Sequence, residues 1–197
     1  MALVRNSTTY QTRRWTRAEY ARLIETGVFH PDERLELIGG ELIVRERQGA
    51  SHSLAIELIN EALRAAFGAG WRIRVQLPVA LDDESEPEPD FSVVPGTPRQ
   101  VPLDPKPACP ALVVEVAEST LAFDRNVKSS LYARARVPDY WIVNLVDRVL
   151  EVYREPAAAR EASFGWRYGQ IQTLRSGDSV SALALPSTRI AVADLLP

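Results

Sequence analysis

The 197-residue chain has a single cysteine, Cys109, so no disulfide can form within it. A lone thiol fits a reducing compartment, and cytoplasmic residence is the expectation. Lysine is nearly missing. Lys106 and Lys128 are the only two, and arginine supplies the rest of the 23 basic residues. Each lysine kept in such an arginine-rich chain therefore marks a position to question. Positive charge is not in excess either. The formal net charge is −3, which argues against a protein that coats nucleic acid by charge alone. A local binding groove stays open, because carboxylates clustered at a site would lower the total. No apolar run approaches the length needed to cross a bilayer, and the opening "MALVRNSTTYQTRRW" lacks the apolar centre of a signal peptide. No membrane association is expected. Internal repeats and low-complexity segments are absent.

What is present suits a soluble globular protein: 46% of residues are hydrophobic and 25% charged. The length predicts one domain over residues 1–197, with strands from about 164 to 197 extending its core. "TRAEYARLIET" reads as a helix with a capping box at Thr16 and Glu19, stopped by Gly27. "RLELIGGELIVRE" reads as a hairpin turning at Gly39-Gly40. "SHSLAIELINEALRAAF" has helical apolar spacing after a candidate N-cap, Ser51. "WRIRVQLPVAL" alternates like a half-buried strand, with Pro78 marking an edge or bend.

An acidic loop from Asp82 to Glu88 leads into a strand at "DFSVV". The loop reads as a solvated turn. The six prolines from Pro95 to Pro110 read as a surface loop. "ALVVEVAE" is the candidate central strand. "FDRNVKSSLYARAR" reads as a helix with Val127, Leu131, Tyr132 and Ala135 on one side. "DYWIVNL" and "VLEVYRE" read as strands joined by a turn at Val146-Asp147-Arg148, and Tyr140 and Trp141 as core aromatics. This order predicts an α/β or α+β domain with a mixed central sheet flanked by helices.

Two acids interrupt or border apolar strands, Asp90 in "EPEPDFSVV" and Glu115 in "LVVEVAE". A third, Glu36, sits in the hairpin, with Glu33 and Glu41 as competitors. Lys128 lies on the helix that follows Glu115. Hard divalent cations such as Mg²⁺ take one or two carboxylates together with waters and a substrate phosphate. A lysine beside them orients an attacking water and offsets charge on the phosphate.

Each of these residues also has a plainer reading. Glu115 as a core ion pair with arginine would gain little over apolar residues. Asp90 is otherwise a strand-entry residue after Pro89, and Lys128 a solvated helix residue. His52 starts a helix, where anions are favoured, so it is a candidate phosphate contact or a surface residue near a cap. Gln76 is a candidate substrate contact on its strand, and His30 a loop residue. Arg13, Arg14 and Arg17 read as solubilising charges or as a phosphate-contacting patch.

The series "PEPDFSVV", "LVVEVAEST" and "DRNVKSSLYARARVPDYWIVNL" resembles the PD-(D/E)XK nuclease superfamily. Within it the chain looks like the Uma-type family of restriction-endonuclease-like proteins, common in bacteria. The resemblance runs from about "WTRAEY" through "VLEVYRE" and implies a restriction-endonuclease-like fold. It also implies a DNA phosphodiesterase dependent on Mg²⁺ or Mn²⁺. Asp90 and Glu115 would be the metal ligands, with the Val116 carbonyl a third. Glu36 and Lys128 would complete the catalytic set. Ala117 stands where the superfamily usually has its lysine, and Lys128 matches the family's substitute on the following helix. "EVAEST" departs from the family pattern by adding Glu118.

Two other classes stay open: a non-catalytic nucleic-acid-binding or assembly module on the same scaffold, and a metal-independent hydrolase of sugars using two carboxylates. Cutting both strands of duplex DNA favours a homodimer. Trp166 and Tyr168 are candidates for its interface, or else they finish the core.

Overall fold

The computed structural model describes residues 12–30, 32–45, 48–100 and 106–197. The signal-peptide reading falls mostly on residues 1–11, and part of the proline-rich loop on 101–105, outside the described residues. Helix α1 (Arg17–Glu25) carries the expected capping box. The Thr16 hydroxyl accepts from the Glu19 backbone N–H, and the Glu19 carboxylate accepts from the Thr16 backbone N–H. Strands β1 (Leu35–Ile38) and β2 (Glu41–Val44) form the hairpin, with Glu36 opposite Ile43. Its turn requires glycine. Gly40 has φ 79°, and a Cβ there would lie 2.6 Å from Cβ of Arg14. Helix α2 (Ala50–Phe67) starts two residues earlier than the sequence suggested. Gly49 is its N-cap, and Ser51 lies inside the first turn.

The main sheet comprises β3 (Trp71–Val75), β4 (Phe91–Pro95), β5 (Leu112–Ala117), β6 (Asp139–Asn144), β7 (Val149–Ala158) and β8 (Trp166–Leu174). The strands pair in sequence order, all antiparallel except β5 with β6. A parallel pair cannot be joined by a hairpin, so the chain must leave the sheet after Ala117 and cross over before re-entering at Asp139. The single helix expected in that crossover is interrupted. A short α3 (Leu121–Phe123) passes into a π turn over Asp124–Lys128 and then into α4 (Ser129–Arg134).

Side-chain alternation sorts the strands into two faces. Leu112, Val114 and Val116 pack with Trp141 and Val143 against Ile59 and Leu63 of α2. The same cluster takes Val180 of β9 (Ser179–Val180), Ile190 of β10 (Ile190–Ala191) and Leu195 of the 3₁₀ turn Val192–Leu195. On the opposite face Val113, Ala117, Tyr140 and Ile142 pack against Tyr132 of α4. Glu115 shares that second face by parity. The result is a mixed α+β architecture with helices on both sides of a six-stranded sheet.

Several loop and surface expectations change. Of its two readings, Tyr168 takes the second and finishes the core. It packs beside Tyr140 and Tyr153, and its hydroxyl donates to the Val137 carbonyl. Trp166 lies beneath the Arg136 guanidinium, 4.4 Å from ring centroid to carbon. The acidic loop is only partly solvated. Glu86 is buried and ion-paired with Arg17 and Lys106 at 3.2 and 2.8 Å. Arg13 pairs with Glu19, and Arg14 with the Gly39 carbonyl and Glu84. The N-terminal arginines are therefore tied to neighbouring acids and carbonyls.

Leu63 is fully buried where α2 meets the sheet. Leu63→Ala is expected to lower folding stability by about 2–5 kcal/mol, read from urea unfolding, because the rigid sheet cannot collapse into the space left behind.

Candidate active site

Asp90 stands one residue before β4, in line with Glu115 across the β4–β5 ladder, where Phe91 pairs with Val114. The two are bonded through the backbone. The Val116 N–H donates to Asp90 Oδ2 at 2.9 Å, and the Asp90 N–H to Glu115 Oε2 at 3.4 Å. Ala117, two positions beyond Glu115, points to the same face and packs in the apolar cluster. The cation comes from the crossover instead. Lys128 Nζ lies 2.9 Å from Glu115 Oε1 and 3.2 Å from Glu36 Oε2. Tyr132, one turn after Lys128, donates its hydroxyl to Glu115 Oε1 at 2.8 Å. Glu36, Asp90, Glu115 and Lys128 therefore converge, although they come from four separate places in the chain.

The remaining contacts orient the acids. Arg45, which follows β2, bonds Glu36 Oε1 at 3.0 Å and reaches Asp90 Oδ1 at 3.4 Å. His52 Nε2 and Gln76 Nε2 stand 3.3 and 3.2 Å from the same Asp90 oxygen. His52 lines the cavity of about 300 Å³ that these groups enclose, whereas Gln76 does not. Both side chains brace Asp90. Gln76 holds a left-handed φ of 49°, and its N–H is secured by the Asp90 carbonyl at 3.0 Å. His30 is exposed, away from this cavity.

Sequence reasoning missed Arg45 and Asp124. The first was readable from the hairpin register. With Glu36 opposite Ile43, Arg45 falls on the same face, one diagonal step away. Asp124 precedes Lys128 by one helical turn, a spacing that places two side chains on one wall.

Burial makes the electrostatics severe. Glu36, Asp90, Glu115 and Asp124 are each 2% exposed, and Lys128 6%. Among the described residues the cavity brings these four buried carboxylates together with two cations, Lys128 and Arg45. Burial drives the Glu115 carboxyl up to about 8, assisted by the charges of Asp90, Asp124 and Glu36 and opposed by Lys128. Asp124 is raised too, again chiefly by burial. Asp90 goes the other way. Burial pushes it up, but the His52 hydrogen bond and charge, the Val116 N–H and Arg45 together hold it below its ordinary value. For Lys128 burial acts downward, and the carboxylates of Glu115, Glu36 and Asp124 outweigh it, so its ammonium holds its proton more tightly than usual.

These donors suit a hard cation. Two facing carboxylates on adjacent strands match the small protein contribution that Mg²⁺ requires, and the buried acids of the cavity outnumber Lys128 and Arg45. Glu36 Oε2 is buried and has no aligned hydrogen-bond donor. Among the described residues no three His, Cys, Asp or Glu side chains form a complete cage, so waters or substrate would have to supply the other ligands.

The raised Glu115 carboxyl predicts a pH dependence. An unfolded glutamate titrates near 4.5 and this one at about 8, so between those values the native state holds a proton that the unfolded state has lost. In EDTA, stability should fall as pH rises through this window. Asp90 and Lys128, shifted outside it, contribute a constant amount. Thermal melts across the window should show the decline, and Glu115→Gln should reduce it to the part that the raised Asp124 carboxyl contributes.

The chain was then compared with known proteins. The search of curated proteins found no match. The structure is similar to the crystal structure of a putative nuclease belonging to DUF820 from Anabaena variabilis ATCC 29413. The TM-score is 0.66 and the identity 14%, over 91% of this chain and 96% of that one. That likeness shows the restriction-endonuclease-like fold that the resemblance implied. No helix among the described residues is long and apolar enough to cross a membrane. The Uma2 family model, described as "Putative restriction endonuclease", matches residues 17–193, and the chain belongs to that family.

Proposed function

We propose that the protein is a divalent-metal-dependent endonuclease that hydrolyses DNA phosphodiester bonds. The observation that carries this reading is the unbalanced burial of carboxylates around Asp90 and Glu115, in a chain of the Uma2 family. Asp90 and Glu115 would hold Mg²⁺ or Mn²⁺, with the Val116 carbonyl available beside them. Such an ion would polarise the scissile phosphate and acidify the attacking water.

The chain's own residues have separable tasks. Asp90 enters the reaction already ionised and braced by His52, Gln76 and Arg45. Lys128 retains its proton in this arrangement, so it serves as a fixed positive charge and donor for the phosphate and not as a base. Tyr132 holds Glu115 through its hydroxyl, and Arg45 steadies Glu36 beside Lys128. DNA would be the partner, in the cytoplasm. A two-fold dimer would supply the second centre that duplex scission requires.

One observation favours a second reading, a non-catalytic nucleic-acid-binding module. Glu115 Oε1 is already taken by both Lys128 and Tyr132, so this oxygen is satisfied without an ion. Cleavage assays separate the two. With Mn²⁺ and plasmid DNA, the nuclease reading expects nicking or linearisation. Asp90→Asn, nearly isosteric and still able to accept from the Val116 N–H, should reduce it at least about a hundredfold with the fold intact. Lys128→Ala should also abolish cleavage, with a stability loss of about 3–5 kcal/mol, because Glu115 and Glu36 lose their buried partner. Equal cutting by Asp90→Asn and the parent would sink the assignment. DNA binding with no cutting and no Mn²⁺ uptake would establish the module instead.

A further inference from the structure

The π turn brings a second charge to the cavity besides Lys128. Asp124 and Lys128 at its two ends are buried, while Arg125 and Asn126 between them are exposed. Its wide geometry therefore presents an acid and a lysine on one wall. The turn is anchored from outside. Arg125 makes a bidentate pair with buried Glu151 of β7, at 3.0 Å from Nε to Oε2 and 2.5 Å from Nη2 to Oε1. The Tyr140 hydroxyl donates to the Asp124 carbonyl at 3.2 Å. The Asp124 side chain is held in turn by the Thr120 hydroxyl, which donates to Oδ2 at 2.6 Å.

Local structure does not require the charge on Asp124. An asparagine would accept the Thr120 hydrogen bond equally well. Lys128 is already matched by Glu115 and Glu36. Asp124 adds a fourth buried acid to a cavity that already holds Glu36, Asp90 and Glu115. The buried Oε2 of Glu36 has the Lys128 ammonium 3.2 Å away but no aligned hydrogen-bond donor.

We propose that Asp124 is a positioning residue of the cation site: its carboxylate, fixed by Thr120, raises the affinity of the Asp90–Glu115 pair for a divalent cation. This rests on the metal-dependent reading above and adds to it a residue outside the "PD…E…K" series.

The test is calorimetric titration of the full chain with MnCl₂ at constant neutral pH, for the parent, Asp124→Asn, Asp124→Glu and Thr120→Val, paired with thermal melts in EDTA. Asp124→Asn should weaken Mn²⁺ binding about tenfold or more, as loss of an outer carboxylate typically does. Asp124→Glu should recover most of the affinity, and Thr120→Val should fall between. In EDTA, Asp124→Asn should melt no lower than the parent, since it relieves repulsion among buried acids. A purely structural acid, favourable only at the start of its helix, would give the reverse: a lower melting temperature in EDTA and unchanged Mn²⁺ affinity. That result overturns the inference and leaves the nuclease reading standing. A parent that takes up no Mn²⁺ overturns both.

Discussion

Glu115 and Lys128 meet 2.9 Å apart in the interior, and the surrounding structure is organised by the cost of that meeting. A buried carboxylate loses its hydration and must recover it from specific donors. Here the donors are the Lys128 ammonium, the Tyr132 hydroxyl and the Asp90 N–H. They come from the crossover helix and from the neighbouring strand. The pair therefore links the helical layer to the middle of the sheet, and its stability depends on both being in place.

The parallel join of β5 and β6 explains why the lysine arrives from a helix. A crossover is compulsory between parallel strands, and it must pass over the face that Glu115 occupies. Ala117, on that face, is small and apolar and packs with Tyr132 and Ile142. The cation and the acid thus sit on different elements, and the π turn sets the height at which Lys128 enters. Its tether to Glu151 and to the Tyr140 hydroxyl makes that height a property of the sheet itself. Asp90 and Glu115, by contrast, are positioned by a ladder register and two backbone hydrogen bonds, the most rigid means available to a protein.

The site's electrostatics follow from its shape. Two acids directly opposite each other across two strands have opposite fates. Asp90 is surrounded by donors and is held below its ordinary value, while burial and the neighbouring acids raise Glu115. An arrangement that leaves one carboxylate charged and the other poised suits a centre whose charge is completed by something that binds.

Much of this was legible in the sequence. The capping box at Thr16, the glycine hairpin, the helical stripe of α2 and the interior strand around Glu115 are local patterns, and the structure contains them all. Asp90, Glu115 and Lys128 stood out because charge inside apolar strands and lysine in an arginine-rich chain are both unusual. Glu36 and Arg45 needed the hairpin register, which a tight two-glycine turn fixes. What the linear chain could not decide was which groups share one cavity. The burial of Glu86 with Arg17 and Lys106, the inward turn of Tyr168, the bracing of Asp90 by His52 and Gln76, and the π interruption that presents Asp124 all depend on packing between distant segments. Sequence patterning determined the elements and their apolar faces, because those arise from neighbours three or four residues apart in helices and two apart in strands. Only the tertiary structure decided the charge balance of the site, because desolvation and Coulomb energy depend on distances in space that no local spacing encodes.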